Sequence, residues 1–238
     1  RHADTSPGAL FIALTGPRHD GHDHIAELHR KGVRDFMVQQ DRSAEVEGLN
    51  AIVVKDTLVA LQRLAAWHRS HFNIPVIGIT GSNGKTIVKE WLWQMLHHEE
   101  NIVRSPGSWN SQVGVPLSVL RMGPEHTLGI FEAGISKPGE MEKLEPIIRP
   151  TIGVLTNIGD AHDEGFGGDR ALKLSEKRKL FKGAEVVIRH SLGGERADTD
   201  LTIGPDESEF VLVHETQVLN GSCSIDIAHD GVGSSFTI

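Results

Sequence analysis

Apolar residues recur in two rhythms along this chain, and the rhythm changes near residue 75. Before it, the run at residues 9–14 closes on Gly16-Pro17, which reads as a short strand and a turn. A polar segment over 23–31 ending at Gly32 reads as a helix, and Val33–Val38 and Ala51–Val54 as two further strands. Asp56 is placed to cap a helix in which Leu58, Leu61, Leu64 and Ala65 repeat at helical spacing. That helix is expected to run to about Phe72 as a connector, with Pro75 at the seam.

From Val76 onward, strands alternate with helices. Val76–Thr80, residues 127–131, residues 151–155 and residues 185–188 are apolar and short enough to be strands. Val88, Trp91, Leu92, Met95 and Leu96 mark one face of a helix; a second helical segment follows Pro138, and a third covers roughly 169–182. This alternation predicts an α/β fold with a mostly parallel sheet. Residues 201–238 switch to period-two alternation around Asn220-Gly221, the signature of an antiparallel hairpin extension. The expected organisation is a small N-terminal α/β domain over 1–72 and a second domain over 73–238.

Composition narrows the function. Lys plus Arg number 24 against 32 Asp plus Glu, a net charge of −8, with no basic stripe to suit nucleic acid or a membrane surface. No apolar run approaches the ~18 residues of a membrane span. The single cysteine, Cys223, excludes an internal disulfide and suits a reducing compartment. Both ends of the chain read as cut edges of something longer.

The chemistry concentrates in Gly78-Ile-Thr-Gly-Ser-Asn-Gly-Lys-Thr86, which leaves an apolar strand and enters an amphipathic helix. That is the setting of a phosphate-binding loop: backbone N–H groups of Thr80, Gly81, Ser82, Asn83 and Gly84 turn toward phosphate oxygens, and the helix N-terminus adds its partial charge. Lys85 is expected to reach the β- and γ-phosphates and Thr86 to ligate Mg²⁺. Replacing Lys85 is expected to weaken ATP binding or turnover far more than replacing Lys89, one turn on. The strict spacing of the common phosphate loop fails, because position 79 is Ile. Two later strands end in Glu132 and Asn157, and ligands of parallel sheets bind beyond such strand ends. Glu132 suits Mg²⁺ beside a triphosphate, or else caps the segment that follows. His162 lies just past the second of these ends. The His-rich stretch at 19–24 lacks the separated ligand pairs of a zinc module. The lysine-rich segment 173–182 is most simply a solvated helix face.

Together these residues resemble the Mur ligases, ATP-dependent amide ligases of peptidoglycan synthesis. The Thr-Gly-Ser-Asn-Gly-Lys-Thr loop is similar to their phosphate loop. Ser6–Leu14 followed by Asp20-Gly-His22 resembles their UDP-substrate domain, and Trp109–Pro116 their substrate loop. Glu132–Glu140 and Thr156–His162 resemble their two metal-site strands. The resemblance is greatest to the F-type branch, which joins D-Ala-D-Ala to UDP-MurNAc-tripeptide. It implies ATP and two Mg²⁺ as cofactors, with Thr86, Glu132, His162 and Lys177 as metal ligands. Lys177, four residues before Phe181, aligns with the family's carbamylated lysine, and Lys85, Lys177 and His162 carry the catalysis. Asn157 joins the nucleotide site, and Asp20, His22 and Asn110 face the UDP-tripeptide substrate. Ser108 and Ser111 replace asparagines common in that loop. The wording of residues 140–145 and 176–181 resembles members fused to an alanine racemase. A third domain is implied to lie outside this stretch, which alone is expected to turn over at background. The competing readings are an E-type or folylpolyglutamate-type ligase, and a non-ligase phosphate-loop protein.

Overall fold

The structure, a computed structural model, describes residues 8–46, 48–159, 163–190, 200–204, 211–219, 222–229 and 232–237, with side chains through Arg189 except at residues 163 and 164. The chain divides into two compact units, Arg1–Trp67 and His68–Ile238.

The first unit runs β1 (Leu10–Ile12), β2 (Thr15–Gly16), β3 (His19–Asp20), α1 (Ile25–Arg30), β4 (Asp35–Gln39), β5 (Asn50–Val54) and the body of α2 (Thr57–Arg69). Strands β1, β4 and β5 form a parallel sheet in that order, and β2 pairs with β3 as a short antiparallel ribbon. Its core gathers Ala13, Ile25, Leu28, Val33, Phe36, Val38 and Val46. Thr57 Oγ1 donates to Ala13 O at 2.8 Å and so fastens the start of α2 to the chain leaving β1. The connecting helix stops at Arg69, three residues short of expectation. There the Arg69 guanidinium donates to the carbonyls of Phe72, Ile148 and Arg149, which draws the chain out of the helix.

The second unit runs β6 (Val76–Thr80), α3 (Lys85–Leu96), β7 (Ile102–Arg104), α4 (Gly114–Val119), β8 (Leu128–Glu132), α5 (Met141–Ile148), β9 (Ile152–Leu155), α6 (Arg170–Arg178), β10 (Val186–His190), β11 (Asp200–Gly204), β12 (Val211–Leu219), β13 (Ser222–His229) and β14 (Val232–Thr237). Among the described residues one sheet has the order β14-β13-β12-β11-β10-β9-β6-β8-β7. Every neighbour pair from β7 to β12 is parallel, and only β12–β13–β14 is antiparallel. The fold class is therefore the expected one, an α/β chain with an antiparallel extension. The extension is shorter than the pattern suggested, because β11 and the start of β12 continue the parallel sheet. Alternation along a strand reports its two faces, not the direction of its partner.

β6 is buried along its whole length. Ile77 and Ile79 pack with Leu128 and Ile130 under Val88, Leu92 and Leu96 of α3. Glycines keep another layer thin. A Cβ on Gly153 of β9 would stand 2.5 Å from Cδ1 of Phe181, so only glycine lets that ring lie against the strand. Met141, Leu144, Ile147 and Ile148 bury one side of α5. The helix expected over 169–182 is α6 followed by a 3-10 turn at Lys179–Phe181, and Asp169 caps it by accepting from Leu172 N at 2.9 Å. β6 sits between β8 and β9, so the chain leaves the sheet to opposite sides at its carboxyl end. That is the crevice where parallel α/β sheets place ligands.

Candidate functional site

Residues 80–86 cross this crevice, and their conformation is set from both sides. Thr80 Oγ1 donates to Ala133 O at 2.8 Å, and Ser82 N to Asn157 O at 2.8 Å. Asn83 N donates to Asn157 Oδ1 at 2.9 Å, and Thr156 Oγ1 to Asn83 O at 2.6 Å. Gly81 has φ +144°, and a Cβ there would lie 2.0 Å from Thr156 Oγ1, so both backbone and space demand glycine. Gly84, with φ +81°, turns the chain into α3. Asn157 thus acts on the loop directly: its backbone and side-chain oxygens hold the N–H groups of Ser82 and Asn83, which were expected to face phosphate.

Glu132, at the end of β8, is fully buried. Its Oε2 accepts from Thr86 Oγ1 at 3.1 Å and from Asn110 Nδ2 at 3.3 Å. Its Oε1 is buried without a hydrogen bond, and its charge is met by Lys89 Nζ at 2.9 Å. Thr86, Glu132 and Asn110 are therefore brought together, from helix, strand and loop. Asn110 is held there by its own carbonyl, which accepts from Gly134 N at 2.8 Å. One hydroxyl and one ionised carboxylate beside a phosphate loop fit a hard divalent cation, which takes oxygen ligands and keeps phosphates or waters for the rest. Among the described residues no three His, Cys, Asp or Glu side chains gather as a metal cluster.

Two lysines converge on a single carbonyl. Lys85 Nζ donates to Gly81 O at 2.8 Å and Ser82 O at 3.1 Å, and Lys177 Nζ donates to the same Gly81 O at 3.0 Å. Both line a cavity of about 120 Å³ with Asn110, Ser111, Gly134, Ile135 and Ser136. Burial pushes the Lys85 ammonium below its ordinary range, against the pull of Glu132. Burial, then repulsion from Lys85 and Lys173, lowers Lys177 to about 8.

One expectation changes here. Segment 173–182 is not a solvated face: Lys173 and Lys177 are buried, and Lys173 Nζ donates to Gly159 O at 2.8 Å. Lysines at i and i+4 share one side of α6, and backbone oxygens of the nucleotide loop and its neighbour replace their water. Lys89, on the helix that carries Lys85, is also fully buried, against Glu132. Sequence reasoning missed it; the available signal was its spacing of four from Lys85, which puts both lysines on one face of α3. His162 lies outside the described residues.

In the first unit, Asp20 and His22 form a closed arrangement. Asp20 Oδ1 accepts from His22 N at 3.0 Å and faces His22 Nδ1 at 2.6 Å, while Gln39 N donates to His22 Nε2 at 3.0 Å. The Nε2 acceptor role leaves the ring proton on Nδ1, toward Asp20. Arg42 closes on Oδ2. The His22 backbone N–H and ring hold the Asp20 carboxyl at about 2.

Comparison with known proteins adds relatives. The description "Mur ligase family, catalytic domain" matches residues 3–69, and "Mur ligase middle domain" matches residues 79–190. A UDP-N-acetylmuramoyl-tripeptide–D-alanyl-D-alanine ligase of Synechocystis is 40% identical over 169 residues, 69% of this chain and 36% of the relative. The crystal structure of MurF from Acinetobacter baumannii superposes with TM-score 0.89 at 27% identity, over 100% of this chain and 54% of that one. MurF of Thermotoga maritima, solved in complex with ADP, gives TM-score 0.84 at 25% identity, over 99% of this chain and 57% of that one. The chain spans about a third to a half of the length of the curated relatives it matches.

Proposed function

The chain belongs to the Mur ligase family, and on that premise we propose that it is the nucleotide-binding part of an ATP-dependent ligase joining D-Ala-D-Ala to UDP-MurNAc-tripeptide. The observation that carries this reading is the meeting of Thr86 and Asn110 on one oxygen of the buried Glu132, at the mouth of the phosphate loop. Nucleotide and acyl substrate would be held there within a few ångströms of each other. The tripeptide's terminal carboxylate oxygen attacks the γ-phosphorus and ADP leaves. The amine of D-Ala-D-Ala then attacks the acyl carbon, phosphate leaves and the amine sheds a proton. Transfer of this kind depends on positioning and on neutralising charge on the moving phosphoryl group.

The residues divide that work. The loop N–H groups that Asn157 does not hold and the start of α3 cradle the phosphates, and Lys85 exchanges its two backbone carbonyls for phosphate oxygens. Thr86 and Glu132 would hold one Mg²⁺, which supplies charge neutralisation of the phosphates when bound. His162 and Lys177 belong to a second cation in this reading. An ammonium at Lys177 would repel that cation, and it already crowds Lys85 on Gly81 O. Attack of the neutral amine on CO₂, with loss of one proton, turns the group into an anionic oxygen ligand. The lowered affinity of Lys177 for its proton favours that step. Asp20 and His22 serve the UDP-substrate side as scaffold in this reading, since their polar atoms are already engaged with each other, Gln39 and Arg42.

ATP and a UDP-linked precursor as substrates place the reaction in the cytoplasm, and among the described residues no helix is long and apolar enough to cross a membrane. The deciding experiment is acceptor choice by the full-length enzyme. With ATP and UDP-MurNAc-tripeptide, D-Ala-D-Ala should give stoichiometric ADP and a product heavier by one dipeptide less water. A product that forms instead from UDP-MurNAc-dipeptide and diaminopimelate would assign the E-type reaction.

A further inference from the structure

A phosphate-binding helix needs its lysine at the loop, not a second one buried a turn later. Lys89 is nevertheless fully enclosed, and its ammonium meets oxygens from several directions. Ser105 O lies at 2.8 Å, Glu132 Oε1 at 2.9 Å and Glu90 Oε1 at 3.1 Å, with Gly107 O also accepting. Removing an ammonium from water is costly, and packed apolar residues commonly replace such pairs without loss of stability. Stability alone therefore does not explain a lysine here. Its partners do. Ser105 and Gly107 begin the segment that turns at Trp109, whose N–H donates to Pro106 O at 3.1 Å, and delivers Asn110 to Glu132. Ser105 Oγ in turn accepts from Glu132 N at 3.2 Å. Glu90 also accepts from Arg104 Nη1 at 2.8 Å, which fixes the end of β7 from the same helix.

We propose that Lys89 is a positioning residue that locks segment 105–110 to Glu132, so that Asn110 and Oε2 of Glu132 face the acyl substrate as one unit. Because Lys89 occupies the Oε1 side, Oε2 is the oxygen left for Thr86, Asn110 and an incoming cation. The proposal rests on the ligase reading for its substrate and on the geometry alone for the lock. Lys85 acts on the nucleotide; Lys89, one turn along the same helix face, acts on the loop that meets the tripeptide.

The test compares Lys89→Met with Lys85→Ala in the full-length enzyme. Lys89→Met should raise hydrogen–deuterium exchange in residues 105–112 at least tenfold while residues 141–148 stay unchanged. It should raise KM for UDP-MurNAc-tripeptide tenfold or more and leave the ADP dissociation constant within threefold. Lys85→Ala should weaken ADP at least tenfold and leave exchange in 105–112 unaltered. If Lys89→Met does not fold, Lys89→Arg carries the test, since it keeps the charge and loses the convergence on these oxygens; the same local exchange and KM shifts are expected at smaller amplitude. A folded variant with unchanged exchange in 105–112 and unchanged KM overturns the proposal, as does a loss of ADP affinity equal to that of Lys85→Ala. Failure of the wild-type enzyme to ligate would overturn the ligase reading instead, with the exchange comparison still deciding the lock.

Discussion

Asp20 and Glu132 each end a strand, each face a basic side chain and each touch further polar groups, yet their surroundings divide them. Asp20 keeps 24% of its side chain in solvent, and both of its oxygens are engaged, Oδ1 by His22 and Oδ2 by Arg42. Glu132 has no solvent exposure, one oxygen against Lys89 and the other shared by a hydroxyl and an amide. A carboxylate in the first setting holds a turn. In the second its charge sits in a low-dielectric setting, where Oε2 is engaged only by a hydroxyl and an amide, partners that a cation could displace. Similar chemistry yields scaffold or site according to burial and to which oxygen is left over.

The contrast can be broken most severely at the buried centre. Lys177→Ala in the full-length enzyme should lower the rate of ligation roughly 10³-fold, the upper end for loss of one preorganised electrostatic group. A short carboxylate in the buffer should restore part of it. Lys179→Ala should leave ligation unchanged, since Lys179 reaches outward to Glu142 as well as to Glu176. Full activity of Lys177→Ala at low bicarbonate would remove the carbamate from the mechanism. Next in size, Glu132→Gln should cost about 10²-fold in ADP release, and a rate within threefold of wild type would show that the centre does not depend on that charge.

The smallest effect sharpens the other side of the contrast. Asp20 is held at about 2, below its ordinary 3.8, so it stabilises the fold at pH above the ordinary value. That contribution should fade as pH falls from about 4 to about 2, when the folded state too takes up the proton. Melting temperatures of wild type and Asp20→Asn should differ near neutrality and converge across that window. A constant difference down to pH 2 would mean that Asp20 acts through packing rather than charge.

The phosphate loop and the end of β8 were legible in the sequence because each is a local pattern: a glycine-spaced loop leaving a strand, and an apolar run that stops at one polar residue. Asn157, by contrast, falls two residues beyond β9 rather than at its end. Lys89 and Lys173 were not legible. Their burial depends on carbonyls of Ser105, Gly107 and Gly159, between 14 and 18 residues away, and nothing in a lysine's neighbours announces that distant oxygens will replace its water. The parallel pairing of β11 with β10 escaped for a related reason, since period-two alternation is the same for either strand direction. Sequence patterns report what a segment does by itself; the remainder came from pairings between segments.

The contact of Phe181 with Gly153 reaches further than its chemistry. Neither residue carries a polar side chain, but Lys177 stands four positions before the ring. A methyl group on Gly153 would act as a wedge under Phe181 and press on the turn that closes α6, the helix that carries the lysine. The range of sequences open to this protein is therefore narrowed at Gly153 much as it is at Gly81. Drift at a position with no reactive atom is foreclosed by the part it plays as a fulcrum.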